Sequence, residues 1–268
     1  MGHLIKAYNA MRHYSGNSAV RFSLAAILAA FGVNGCKQKP TAPQQVAEPC
    51  LPDANNLEDI VTNVNKVDSE LSPLEIKFPK ALFRGTPENL QRKNVEDTTG
   101  KKPPPFYVPM GTENLAFEKP VYSSDEEPVI GELELVTDGD KEAMEGSYVE
   151  LGLSKQYVQI DLGQKATIYA IVVWHYHREP KIYHDVIVQV ADDPDFIMNV
   201  KTLFNNDRDN SSGLGVGKDR EYVDNNHGKL IDAKGIPARY VRLYSKGNTS
   251  DVFNQYTEVE VHGRLTGN

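Results

Sequence analysis

Two polar stretches in the second half of the chain concentrate side chains able to grip a ligand. HYHREPKIY (175–183) offers His175, Tyr176, His177 and Arg178, and KGNTSDVFNQY (246–256) offers Asn248, Phe253, Asn254 and Tyr256. A flat aromatic face ringed by planar hydrogen-bonding groups is the chemistry that recognises sugars. His177, Arg178, Phe253, Asn254 and Tyr256 could supply such contacts if the two stretches meet. The competing reading has Tyr176 and Phe253 capping a core and Arg178 in solvent. Trp174 ends an apolar run and is expected in the core rather than in stacking.

Other patterns invite chemistry and fail a closer test. His175, His177 and His184 lie close together, and His-x-His can ligate zinc from one strand face. No HExxH, GxSxG or Cys–His constellation accompanies them, so catalysis is not expected. The polar run NNDRDNSSGLGVGKD (205–219) resembles a calcium or phosphate loop only superficially. Counted from Asp207, an EF-hand would need Gly and Glu where Ser212 and Lys218 stand. A P-loop would need Gly at Ser212 and a hydroxyl residue at Asp219. The run reads as a glycine-hinged surface loop. Asp138-Gly139-Asp140 reads, on its own, as a turn.

The elements that must position these residues are strands. Val158, Ile160 and Leu162 alternate with Gln159 and Asp161; Val186, Val188 and Val190 with Ile187 and Gln189; Val241 and Leu243 with Arg242; Val259 and Val261 with Glu258, Glu260 and His262. Period-two alternation predicts strands with one buried and one wetter face. TIYAIVVWHY (167–176) is apolar on both faces and predicts a central, covered strand. Separated by Gly/Asp/Asn/Pro clusters, they predict an all-β, two-sheet antiparallel sandwich from about residue 112, with binding at its loop ends.

The first half reads differently. Lys6, Arg12 and Arg21 precede the uncharged run FSLAAILAAFGV (22–33), which at about 18 Å of helix is too short to span a bilayer. Residues 1–35 are read as a secretory signal. Val33-Asn34-Gly35-Cys36 resembles a bacterial lipobox, which implies a lipidated Cys36 and anchoring in the cell envelope. Lys37, by similarity to enteric lipoproteins, favours the outer membrane. An ordinary signal peptide, with Cys36 paired to Cys50, is the alternative. Residues 36–111, rich in Pro and Gln and polar around 84–109, are read as a stalk, with one short helix possible on Leu57, Ile60, Val61, Val64 and Val67. Over all 268 residues, Lys+Arg 29 against Asp+Glu 37 gives −8 with no basic block, which argues against nucleic acid.

Six pieces occur in register: NLAFEKPVYSS (114–124), LVTDGD (135–140), YVQIDLGQKATIYAIVVWHYH (157–177), YHDVIVQVADDPDF (183–196), ARYVRLYSKG (239–247) and NQYTEVEVHG (254–263). Together they resemble the discoidin, or coagulation factor V/VIII type C, domain. That group shares a galactose-binding-like jelly-roll with family 32 carbohydrate-binding modules. The resemblance covers 112–265 and implies an antiparallel jelly-roll β-sandwich that binds carbohydrate without catalysis. It also implies a structural Ca²⁺: carbonyls of Leu135, Asp140 and Thr257, with carboxylates of Asp138 and Glu258. Many members carry a Trp shortly after the Asp-Gly turn; here the nearest aromatic is Tyr148. The expected function is glycan binding by a lipid-anchored envelope protein. The alternatives are an envelope protein-interaction or structural module, or an accessory subunit of a secreted hydrolase.

Overall fold

A computed structural model describes residues 70–97 and 102–266. The proposed signal, Cys36 and the 57–67 helix lie outside these residues. The strands are β1 (Leu71–Pro73), β2 (Tyr107–Pro109), β3 (Glu113–Asn114), β4 (Val121–Ser123), β5 (Val149–Leu151), β6 (Gln156–Trp174), β7 (Ile187–Ala191), β8 (Lys201–Asn205), β9 (Lys229–Ser245), β10 (Asn254–Tyr256) and β11 (Glu258–Leu265). Two 3-10 turns, Glu88–Leu90 and Leu133–Val136, are the helical elements among the described residues. Every strand pairing is antiparallel.

Two long strands build the sandwich. β6 runs 19 residues and β9 runs 17, and they pair with each other along almost their whole length. The register slips between Asp161 and Ala166, where Gly163 takes a positive φ of 84°. A bulge there bends the strand pair. Its two halves then recruit different neighbours. The 156–161 half of β6 pairs with β4, and the facing 240–244 half of β9 with β7, which carries β8. The 166–174 half of β6 pairs with β11, which carries β3. A strand pair that turns a corner thus serves both layers.

Between the layers sit the alternating residues the sequence pointed to. Val158, Ile160, Leu162, Val188, Val190, Val241, Leu243, Val259 and Val261 are all in the core. Burying each such side chain contributes about 1.5–3 kcal/mol before entropy is counted. The run from Ala170 to Trp174 is buried on both faces, as its composition predicts.

The wetter faces are less wet than alternation suggests. Ile187, Gln189, Glu258, Glu260 and His262 are all buried. On the β6–β9–β7 face the cover is a polar–aromatic layer. The Arg242 guanidinium lies 4.0 Å from the Phe196 ring and 4.3 Å from that of Tyr157, and donates to Gln159. On β11, Lys141 reaches over to Glu260 at 2.6 Å, and His262 bonds the same carboxylate at 2.9 Å.

The stalk reading is corrected for part of its length. Residues 70–97 do not stand off the sandwich; they strap across it. β1 pairs with β2. Leu90 and Val95 are buried in a second small core with Ile182 and Val223, and Phe83 packs against it. Val95 bridges Glu221 in parallel, Asn226 Nδ2 donates to the Pro79 carbonyl at 2.9 Å, and Lys229 pairs with Glu96 at 2.5 Å. A stretch without hydrophobic period can fold this way because only Pro79, Leu90 and Val95 are buried; backbone and cation contacts hold the rest.

Candidate functional site

Three loops meet at one end of the sandwich. The 175–184 loop is zipped to the 246–251 loop: His184 N donates to Gly247 O, Lys246 N to His184 O, and Thr249 N to Ile182 O. Lys181 Nζ sits 3.1 Å from Asp251 Oδ2. The third loop, 138–148, is held by His177, whose Nε2 lies 2.8 Å from the Lys141 carbonyl. The two polar stretches singled out in the sequence therefore meet. The roles of the individual residues are redistributed.

Asn254 and Tyr256 belong to the interior, which corrects their expected role as ligand contacts. Asn254 has no exposure: Oδ1 accepts from Ser245 Oγ and Gly247 N, and Nδ2 donates to the carbonyls of Gly152 and Ser154. Every hydrogen-bonding position it has is used within the protein. Tyr256 is equally buried, its hydroxyl 2.9 Å from Ser245 Oγ and its ring against His175. His177 is also buried and acts as a tie between loops rather than a contact. Short polar runs look alike in sequence whether their side chains point out or in, and the buried hydroxyl of Ser245 makes the difference here. Phe253 is half-buried; its backbone bonds Asp251 and Asn248, and its ring makes no aromatic contact among the described residues. Arg178 alone of the five is solvent-exposed, 3.3 Å from Met144 Sδ.

What faces out beside Arg178 is an aromatic pair. Tyr148 and Tyr176 are half-buried, their ring centroids 4.9 Å apart at 56°. Lys181 lies 5.0 Å over the Tyr176 ring. Burial raises both phenols above their ordinary value, with Glu150 adding to the rise at Tyr148, so both stay neutral donors. Below them runs a polar lattice: Glu150 accepts from Gln255 Nε2 at 2.7 Å, Gln255 Oε1 from the Tyr183 hydroxyl at 2.5 Å, and Asn248 Nδ2 reaches Asp251 at 2.7 Å. Burial works against the Asp251 charge, but bonds from Phe253 N, Lys181 and Asn248 hold its pKa below the ordinary carboxylate range. Tyr148 is the aromatic nearest to where the resemblance places a Trp, and that signal could have singled it out from sequence.

The Asp138–Asp140 loop meets Glu258 as the resemblance implies. Gly139 N donates to Glu258 Oε2 at 3.0 Å, across 119 residues of sequence. The other oxygen, Oε1, is buried with no partner among the described residues. Burial pushes the Glu258 carboxyl up to about 9, with Glu260 and Asp138 adding to the rise and Gly139 N and Lys141 opposing it. An orphaned carboxylate oxygen beside a second acid is what a hard cation would satisfy. Asp138 Oδ1 caps Asp140 N at 2.8 Å. Thr257 Oγ1 is taken by the His175 carbonyl. Of the ligand set the resemblance implies, Glu258 is the member whose orphaned oxygen calls for such an ion.

The three histidines do not converge, whereas three carboxylates do. His175 bonds Asp224 at 2.7 Å deep in the core, and His184 lies 3.8 Å from Glu221, so the three histidines share no centre. The 205–219 loop brings carboxylates of Asp185, Asp207 and Asp209 within 4.8 Å of one another, where Ser211 and Ser212 bond them.

No protein-family model and no curated protein matches the chain. Solved structures do resemble it. The CBM32 of AlyQ, in complex with 4,5-unsaturated mannuronic acid, is 22% identical over 54% of this chain and 95% of that one, with a TM-score of 0.39. A Streptococcus pneumoniae fucose binding module is 17% identical over 58% of this chain and 99% of that one, at 0.40. A family 89 glycoside hydrolase from Clostridium perfringens is 17% identical over 57% of this chain, at 0.43; the match spans 15% of that enzyme's length.

Proposed function

We propose that the domain binds glycans without catalysis, through the loop end built on Tyr148 and Tyr176. The observation that carries this is the half-buried tyrosine pair, 4.9 Å between centroids, rimmed by Arg178 and by the Lys181–Asp251 pair. A sugar ring lays its C–H face on such a pair while hydroxyls bond planar side chains around it. The buried lattice from Glu150 to Asn248 fixes these groups in advance, so little ordering opposes binding. Asn254, Tyr256 and His177 serve as positioning residues beneath the surface.

A Ca²⁺ held by the carboxylates of Asp138 and Glu258 and the carbonyls of Leu135, Asp140 and Thr257 would neutralise the buried acid. Its role is structural: it pins the 138–142 turn to β11, and His177 passes that order on to the loop bearing Tyr148. Lipidation of Cys36 would hold many copies on the envelope. Such tethering raises the effective concentration of a site whose single-copy affinity is on the order of 10⁻⁴ M.

A glycan array probed with the chain, followed by titration of each hit, is the test. Saturable sugar binding that Tyr148→Ala and Tyr176→Ala each remove supports the reading. Binding to no neutral glycan, or neutral-glycan binding indifferent to both changes, refutes it. For the anchor, labelled palmitate should enter the wild-type chain and not Cys36→Ala.

A further inference from the structure

The strap makes a second site. Residues 81–85 face the 225–227 loop across a cavity of about 260 Å³ lined by Ala81, Phe83, Arg84, Gly85, Asn225, Asn226 and His227. That is just under the usual range for ligand pockets, a size for one small polar molecule. No carboxylate lines it. Arg84 has no hydrogen-bond or ion-pair partner among the described residues. Lys102 adds positive charge close enough to act on His227.

The walls are fixed in advance. Asn226 Nδ2 is committed to the Pro79 carbonyl, and the Asn226 carbonyl accepts from Trp174 Nε1 at 3.0 Å. Asn225 Oδ1 caps His227 N at 2.8 Å, and Phe78 packs edge-on to the His227 ring at 4.9 Å. Gly228, at φ 65°, lies so close to Trp174 that an added Cβ would meet the indole at 2.6 Å. Among the described residues these bonds leave the Asn226 side-chain oxygen and the His227 ring nitrogens free to meet hydroxyls. Phe83 offers an apolar wall for a ring face.

We infer that this cavity binds the carboxylate-bearing end of an acidic saccharide, with Arg84 gripping the carboxylate and Asn226 and His227 bonding the hydroxyls. A guanidinium fork without an acidic partner matches a planar carboxylate in bidentate geometry. A site with neutral donors and acceptors beside one cation selects a sugar acid over a bare anion. This site is separate from the tyrosine pair and does not depend on the reading given to that pair.

D-glucuronate titrated into the full chain, followed by calorimetry, reads the site directly. Saturable binding is expected, with D-glucose and acetate each weaker by about tenfold or more. Arg84→Gln should lose about tenfold in glucuronate affinity, and Arg84→Lys less, because an ammonium keeps the charge but not the fork. Arg84 is exposed and without a partner among the described residues, so its variants should melt with the wild type, which separates lost binding from lost folding. Tyr148→Ala should leave glucuronate affinity unchanged. The inference is overturned by absence of saturation up to about 50 mM glucuronate, by binding indifferent to Arg84→Gln, by acetate binding as well as glucuronate, or by loss of glucuronate binding in Tyr148→Ala.

Discussion

Glu258 turns the proposed cation site into a pH experiment. Without metal its carboxyl is pushed up to about 9 by burial, whereas in the unfolded chain it titrates near the ordinary 4.5. Between those values the folded state holds one proton more than the unfolded state. Metal-free stability is then greatest below the unfolded value and is lost as pH rises toward about 9. The slope is at most about 1.4 kcal/mol per pH unit for one proton.

Other groups shape the window. Asp161, Asp192, Asp251 and Glu260 are held below their usual range, so what they contribute is lost only as pH falls through the acid region. His227 is lowered by burial and by Lys102, so it adds stability as pH rises, but only up to its ordinary 6.5. Above about pH 6.5 Glu258 dominates. From pH 6.5 to 8.0 the metal-free protein should lose about 2 kcal/mol, or about 4–8 °C in Tm for a body of this size. The assay is a series of thermal melts in chelator and in excess Ca²⁺. With the ion bound, folded and unfolded Glu258 are both ionised and the proton difference vanishes. The Ca²⁺ series should therefore be higher and nearly flat across the window. Glu258→Gln, which keeps the shape, should abolish the slope in chelator and the response to Ca²⁺. A flat or rising chelator series refutes the buried protonated acid. A falling series that Ca²⁺ neither raises nor flattens refutes the cation while leaving the acid in place.

Leu90→Ala should cost about 2–4 kcal/mol in a urea titration, because its cavity opens in a four-residue core that cannot collapse far. Asn254→Ala strands the carbonyls of Gly152 and Ser154 and the amide of Gly247, and should lower stability by about 2–4 kcal/mol. Tyr148→Ala, at a half-exposed site, should lower it by less than about 2 kcal/mol in the same melt while removing neutral-sugar binding at the tyrosine pair. Gly228→Ala forces a side chain into a positive-φ position against Trp174, the sole tryptophan; a loss above about 1 kcal/mol and red-shifted emission should appear together.

The sandwich was legible because its signal is local and repeated. Val158–Ile160–Leu162 and Val259–Val261 state their own periodicity, and the bent β6–β9 pair turns at the positive-φ Gly163. Long-range meetings such as Asp138 with Glu258 were legible only through resemblance, since nothing local links residues so far apart. Two things were not legible. The direction of a side chain in an irregular loop has no period, so Asn254 and Arg178 looked equivalent although one is sealed and the other open. The strap had no pattern at all. Its polar composition describes most of its residues correctly and still says nothing of Leu90 and Val95, which are enough to dock it.

That docking changes what a binding tip can be. A loop end supported only by its own turns would spend affinity on ordering itself each time a ligand arrived. Here the 175–184 loop is held from three directions: by Leu90 and Val95 behind Ile182, by the 246–251 loop alongside, and by His177 against Lys141 in front. The three restraints come from distant parts of the chain, so each can be removed singly. If the tip is preorganised as argued, Leu90→Ala should weaken sugar binding in proportion to the freedom it restores to this loop, although Leu90 lies outside the proposed binding surface.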